Sequence, residues 1–178
     1  MEASKVKKIV AFAVMIIALL LSGCSTKEIT SENSVIGADY LKDKGYEIIA
    51  YEGNAENYIL TKEKLMSMPY MIYWGLQRED PSKHLGKEVY VEKFIIKNHP
   101  FDNWQSTSRY PENIVKSKGE TRVWVYIADK EVVGGISYPA IDEPMAGGYW
   151  SLDGKTLEEV HSINYSDWLE QWQNKFDY

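Results

Sequence analysis

The chain has very little cysteine or histidine, and it has no apolar run long enough to cross a membrane. It holds one cysteine and three histidines among 178 residues. A single cysteine excludes an intrachain disulfide and a zinc site built from several cysteines. His84, His99 and His161 are scattered and lack the H-E-x-x-H or H-x-H spacing of metal ligands. The sequence therefore predicts no metal site.

Positive charge is also scarce. Lys and Arg number 20 against 26 Asp and Glu, which gives a formal net charge of −6 and a pI near 5.2. Nucleic acid is bound through clustered Lys and Arg, so this balance argues against a nucleic-acid partner. Hydrophobic residues make up 44% and charged residues 26% of the chain. These fractions are ordinary for a folded domain.

The motifs of common catalytic sites are absent as well. No Gly-x-Ser-x-Gly occurs, and the stretch 135–138 lacks the second glycine of a nucleophile elbow. No glycine loop ends in Lys-Ser or Lys-Thr, so a nucleotide cofactor has no support. The acidic pairs do not have the alternating spacing of a calcium loop. We therefore predict no catalytic residue and no cofactor, and we expect a binding or interaction module and not an enzyme.

The N-terminus has the pattern of an export signal. Lys5, Lys7 and Lys8 precede an uninterrupted apolar run over residues 9–21. A membrane-spanning helix needs about 20 apolar residues, so this run is too short and is typical of a secretory signal peptide. The small residues Ser22 and Gly23 follow at once, and then Cys24.

The tetrapeptide Leu21-Ser22-Gly23-Cys24 resembles the lipobox of bacterial lipoproteins. The resemblance implies cleavage between Gly23 and Cys24, diacylglycerol on the Cys24 sulfur and acylation of the new amino terminus. It also implies a location at the cell membrane, lipid-anchored and facing the extracytoplasmic side, with membrane lipid as a partner. The alternatives are a secretory signal followed by a free cysteine, or a short N-terminal anchor.

The rest of the chain divides into two parts. Residues 25–34 are polar, so we expect residues 1–23 to be the signal peptide and 24–34 a flexible tether. Residues 35–178 would then form one extracytoplasmic domain. Its runs of residues 45–63 and 151–159 are similar to those of small uncharacterised lipoproteins of Gram-positive bacteria, a resemblance that carries no functional residues.

The patterning of the domain predicts an α+β fold. Residues 87–97 and 121–128 alternate as long strands, and a turn at Asp129-Lys130 leads to a hairpin partner over 131–138. Helices are expected over 35–44, with Ser34 as N-cap, over 62–68 and at the C-terminus. Short strands are expected at 47–51 and 58–60, separated by a turn at residues 53–54, while 70–76 has no assignable period. A largely antiparallel sheet would thus carry a short N-terminal helix and a C-terminal amphipathic helix.

The C-terminal helix has two specific signals. Thr156 and Glu159 have the spacing of a capping box. An apolar stripe follows at helical spacing, and its members are Tyr165, Trp168, Leu169, Trp172 and Phe176. We expect this stripe to pack on the sheet.

Aromatic residues are unusually frequent, with 13 Tyr, 6 Trp and 4 Phe. Two loops that follow long strands, residues 99–104 and 139–150, combine such rings with acids. Because sugars are bound by aromatic faces and carboxylates, these loops are where we expect a ligand such as a wall polymer to sit if the domain binds one. The candidate residues of this site are His99, Asp102, Trp104, Asp142, Glu143, Tyr149 and Trp150. The alternative is that these aromatic rings only close the core.

Two other classes of function stay open. A glycan- or wall-active hydrolase would use paired carboxylates drawn from Asp102, Asp142 and Glu143, facing each other across a cleft. A structural partner of another envelope protein would instead show a broad apolar patch without a cleft.

Overall fold

A five-stranded antiparallel sheet forms the centre of the fold, and strands that follow one another in sequence lie side by side. The computed structural model describes residues 27–142 and 148–176. The strands are β1 Glu47–Ile59, β2 Glu88–Lys97, β3 Thr121–Ala128, β4 Glu131–Pro139 and β5 Trp150–Ser151. Together with the helices they confirm the predicted α+β class.

Within the described part of the chain, five α-helices pack around the sheet. They are α1 Glu32–Asp43, α2 Lys62–Met66, α3 Tyr70–Gly75, α4 Leu157–His161 and α5 Tyr165–Phe176. Short 3-10 helices cover Pro81–His84, Pro100–Asn103 and Pro111–Asn113. Within the described ranges, none of these helices has the length and apolar character needed to cross a bilayer.

The alternation of β2 and β3 places their apolar residues on both faces of the sheet, as the sequence predicts. One face, which we call the α1 face, packs the α1 residues Ala38 and Leu41 against Phe94, Val123 and other aliphatic side chains. The opposite face, which we call the α5 face, is covered mainly by α3 and α5. The central strands are therefore buried from both sides.

Helix α5 fixes the second layer through the predicted stripe. Trp168, Trp172 and Phe176 are buried on the α5 face, whereas Tyr165 at the start of the helix is exposed. The indole Nε1 of Trp172 also donates to the Leu65 carbonyl at 2.8 Å, which joins α5 to α2.

The capping box ahead of α4 is confirmed, because the Thr156 hydroxyl accepts from the Glu159 N–H while the Glu159 carboxylate accepts from the Thr156 N–H.

The boundary of the folded domain lies earlier than expected. The N–H of Lys27 donates to the Tyr51 carbonyl at 3.1 Å, and Ile29 packs against the α1 face. Helix α1 begins at Glu32 with Ser31 as N-cap, whereas Ser34, the predicted cap, is fully buried. The expected tether over residues 24–34 is therefore wrong from residue 27 onward. The polar composition of residues 27–34 gave no sign that this segment is fixed by a backbone hydrogen bond and one apolar side chain.

Strand β1 corrects a second prediction. The expected turn at residues 53–54 is absent, and a single strand of 13 residues pairs with β2 along its whole length. Gly53 has a φ of 99° and lies at one of the three register shifts of β1, so the strand absorbs it as an irregularity. The helix expected over 62–68 ends at Met66, and the unassigned stretch after Pro69 forms α3.

Candidate functional site

The two predicted ligand loops begin at the same end of the sheet. Strands β2 and β4 each pair antiparallel with β3, so they run in the same direction. Ile96, Thr121 and Pro139 are register partners in one row, and the loops leave β2 and β4 just beyond it. Two backbone hydrogen bonds then connect the loops: Ser117 N–H donates to the Trp104 carbonyl at 2.9 Å, and Lys118 N–H donates to the Ala140 carbonyl at 2.8 Å. The loops therefore share one surface.

His99 supports this end of the sheet from inside. The residue is only 3% exposed, and both ring nitrogens are engaged. Nδ1 accepts from the Phe101 N–H at 3.1 Å, so Nε2 carries the proton and donates to the Leu152 carbonyl at 3.0 Å. Burial lowers the pKa of His99 below its ordinary value of 6.5. The ring has no free nitrogen for a ligand, and we leave it out of the proposed contact surface.

Asp102 is held in the same way. Its Oδ2 accepts from the His99 N–H at 3.2 Å, and its Oδ1 accepts from the Thr121 hydroxyl at 2.8 Å. The first contact completes a capping box for the 3-10 helix Pro100–Asn103, and the second joins that helix to the start of β3. The carboxylate thus positions the loop, with both oxygens bound to protein groups.

Trp104 and Trp150 form a pair on this surface. Their ring centroids lie 6.4 Å apart in an edge-to-face arrangement, and both residues are partly exposed. The buried ring of Phe101 supports Trp150 at a centroid distance of 4.8 Å, and His99 lies 5.1 Å behind Phe101. Neither ring of this tryptophan pair is stacked on the tryptophans of α5. Two indoles are therefore displayed on a fixed base.

A charged pair lies at the same end of the sheet as the tryptophan pair. The Lys118 ammonium forms an ion pair with the exposed carboxylate of Asp142. Because the Lys118 backbone lies between the segments of Trp104 and Ala140, this ion pair belongs to the same end of the sheet. Glu143, also predicted for the site, lies outside the described residues, as do Gly23 and Cys24.

Tyr149 lies on the other face of the sheet. It directly precedes Trp150, and successive residues along an extended chain point to opposite sides. Its ring packs edge-on against Tyr73 at 4.8 Å and Tyr138 at 5.8 Å, and Trp124 lies 6.4 Å away. The sequence grouped Tyr149 with Trp150, but the structure brings it into a separate aromatic group on the α5 face.

Sequence reasoning missed residues at both places. Phe101 supports Trp150 from inside and Lys118 pairs with Asp142 at the same end of the sheet, and only the spatial approach of the two loops identifies them. Trp124 and Tyr138 share a face of the predicted hairpin. The register pairs Arg122 with Tyr138, and Trp124 lies two residues after Arg122 and therefore on the same face. That register is a signal that could have located the group around Tyr149.

A separate pocket of about 250 Å³ opens between the segment 77–81 and α5. It contains the acids Glu79 and Asp80, and each carboxylate is paired with a lysine. Lys175 lies 2.7 Å from Asp80 and, through this hydrogen bond, lowers the Asp80 pKa to about 2. Lys83 lies 2.8 Å from Glu79 and likewise lowers its pKa. Both groups are therefore held as carboxylates at neutral pH and are poor proton donors.

Metal ligands do not converge within residues 27–142 and 148–176, where no group of three or more His, Cys, Asp or Glu could hold an ion.

Comparison with known proteins finds no family model, no curated protein and no solved structure that matches the chain.

Proposed function

We propose that the protein is a lipid-anchored, non-catalytic binding module of a cell envelope, and that the tryptophan pair contacts a hydroxyl-rich wall polymer. The observation that carries the proposal is the display of Trp104 and Trp150 as partly exposed rings on the buried base of Phe101 and His99. Tryptophan supplies a large flat apolar area that loses little conformational entropy on binding. The neighbouring Lys118–Asp142 ion pair adds donors and acceptors for hydroxyl groups.

The anchor is supported by the sequence of the first 24 residues. The basic stretch, the apolar run and the resemblance of residues 21–24 to a lipobox occur in the order that lipidation requires. Removing residues 1–23 would take away three lysines and one glutamate, leaving 17 basic and 25 acidic residues. A domain of this charge is repelled by anionic head groups, so lipid and not charge would hold it at the membrane.

The hydrolase alternative has less support from the geometry. A glycosidase needs one carboxyl group that stays protonated as general acid and a second that is ionised. Both oxygens of Asp102 are bound to protein groups, and Asp142 is paired with Lys118. Glu79 and Asp80 have lowered pKa values, which is the wrong direction for a general acid.

The anchor is tested by replacing Cys24 with Ala in the full chain and fractionating the cells. We expect the variant to keep its signal peptide and to lose the lipid, whereas the neighbouring Ser25→Ala control is processed and lipidated normally. A Cys24→Ala protein that is still cut before residue 24 and still fractionates as the parent does would rule out lipidation.

Ligand binding is tested by co-sedimentation of the purified chain 25–178 with insoluble wall polysaccharide and peptidoglycan. We expect the parent to sediment and the Trp104→Ala/Trp150→Ala variant to lose affinity by about tenfold or more, as for aromatic residues at the centre of an interface. Tyr165→Ala is the matched control, because Tyr165 is an exposed ring elsewhere on the surface. Equal sedimentation of parent and double variant would contradict the proposed contact surface.

A further inference from the structure

The folded domain begins very close to the proposed lipid. Lys27 is bound to β1 by the hydrogen bond of its N–H to the Tyr51 carbonyl at 3.1 Å. Only three residue steps separate Cys24 from Lys27, and a fully extended chain covers about 3.3–3.6 Å per residue. The lipid-bearing residue therefore lies within about 11 Å of Lys27, which is itself hydrogen-bonded to the middle of β1. Strand β1 is also an edge of the sheet, since its only strand partner among the described residues is β2.

Trp150 lies in β5, the opposite edge of the same sheet, and the ring of Trp104 lies 6.4 Å from its ring. The register joins Tyr51 to Phe94, Val123, Ser137 and finally Trp150, one residue from each strand. Neighbouring strands are about 4.8 Å apart, so four steps place Trp150 about 19 Å from Tyr51. The two residues thus mark the two ends of one row across the whole sheet.

We propose that the β1 edge of the anchored protein approaches the bilayer and that the tryptophan pair lies on the side of the sheet farther from it, so that its ligand is a polymer beyond the membrane surface and not a lipid head group. This inference rests on the proposed anchor at Cys24. A long flexible tether would let the domain turn freely, but a chain fixed from residue 27 restricts the edge that can approach the membrane. The acidic balance of the domain opposes a collapse of either sheet face onto anionic lipid.

Energy transfer between the protein and the vesicle surface measures this orientation. Ala55 and Gln105 are exposed, the first on β1 and the second next to Trp104. Each is replaced in turn by cysteine in the lipidated full chain and labelled with a donor dye, which the thioether of Cys24 does not take up. The protein is reconstituted in phosphatidylcholine vesicles that carry an acceptor on a small fraction of head groups. We expect transfer from position 55 to be roughly twofold above that from position 105, because the neighbouring Trp104 contacts Trp150, which lies about 19 Å from Tyr51.

Two controls separate the possible failures. Inserting ten Gly and Ser residues between Ser25 and Thr26 adds about 17 Å of flexible reach, and the difference between the two positions should then shrink or vanish. Equal transfer from both positions with the native tether, or stronger transfer from position 105, overturns the orientation while the anchor stands. Transfer from the chain 25–178, which lacks both the signal peptide and Cys24, as strong as from the parent overturns the anchor, and the orientation with it.

Discussion

The C-terminal helix and the end of the sheet each carry two tryptophans, and the two pairs differ in what surrounds them. Trp168 and Trp172 are 3% and 6% exposed and pack between α5 and the sheet. Trp104 and Trp150 belong to a loop and a two-residue strand, and each keeps part of its ring in solvent. The comparison shows that the supporting element decides the exposure of the rings: a helical stripe turns them into the core, whereas the loop and the two-residue strand leave them partly exposed.

The largest effect is expected for Trp168→Ala. Removing a buried tryptophan leaves a cavity, so the free energy of unfolding should fall by about 3–5 kcal/mol. Trp104→Ala is the matched control and should lower it by no more than about 1.5 kcal/mol, because its ring is only partly removed from water. Urea unfolding followed by circular dichroism measures both values. Equal losses in the two variants would mean that the tryptophan pair is also part of the core.

A smaller effect is expected where α3 approaches α5. A Cβ added at Gly75 would lie 2.4 Å from Cζ2 of the Trp168 indole, closer than any relaxed contact. Gly75→Ala should therefore lower the free energy of unfolding by about 1–3 kcal/mol, as for other overpacked cores. The cost should shrink in a Trp168→Phe background, since the smaller ring ends short of the new methyl group. A cost that is unchanged in that background would mean that α3 is strained for another reason.

Low pH should reduce the free energy of unfolding by protonating buried histidines, among them His99 beneath the tryptophan pair. Burial lowers the pKa of His99, and of His84 beside Trp74, below the ordinary value of 6.5. The unfolded chain then binds protons that the folded chain excludes, so the stability that these neutral histidines contribute is present above pH 6.5 and is lost as the pH drops below it. His99→Gln should reduce the slope of this fall, while His84 keeps its share. A slope identical to that of the parent between pH 6.5 and 5 would show that His99 does not contribute.

Much of the fold follows from local patterns in the sequence. The alternation of β2 and β3, the capping box at Thr156 and the apolar stripe of α5 are each set by residues a few positions apart. The hairpin turn also formed without glycine, because Asp129 and Lys130 both adopt positive φ angles. These elements could be predicted because their spacing alone determines which side chains share a face.

The elements that were mispredicted depend on distant partners. Residues 27–34 are polar, and only the bond to Tyr51 shows that they belong to the domain. Strand β1 continues through Gly53 because β2 supplies hydrogen bonds on the far side of the irregularity. Helix α3 has no apolar period because much of its surface is buried, as Tyr73, Trp74 and Gly75 show.

The arrangement of the candidate site could be predicted only in part, because it too depends on partners that are distant in the sequence. That the two loops share one end follows once β2 and β4 are seen to run in the same direction. The burial of His99 depends on a carbonyl 53 residues away, and no local spacing indicates it. The separation of Tyr149 from Trp150 depends on β5, a strand of two residues that is too short to leave a pattern.

The division of the tryptophans is tested most directly by following their indole N–H signals in a nuclear magnetic resonance titration with soluble wall-polysaccharide fragments. Six signals are expected from the 6 tryptophans, and single Trp→Phe variants assign them. The account predicts that the signals of Trp104 and Trp150 shift with ligand concentration, while those of Trp168 and Trp172 stay in place. Shifts confined to Trp168 and Trp172, or no shift at any indole at saturating fragment, would contradict it.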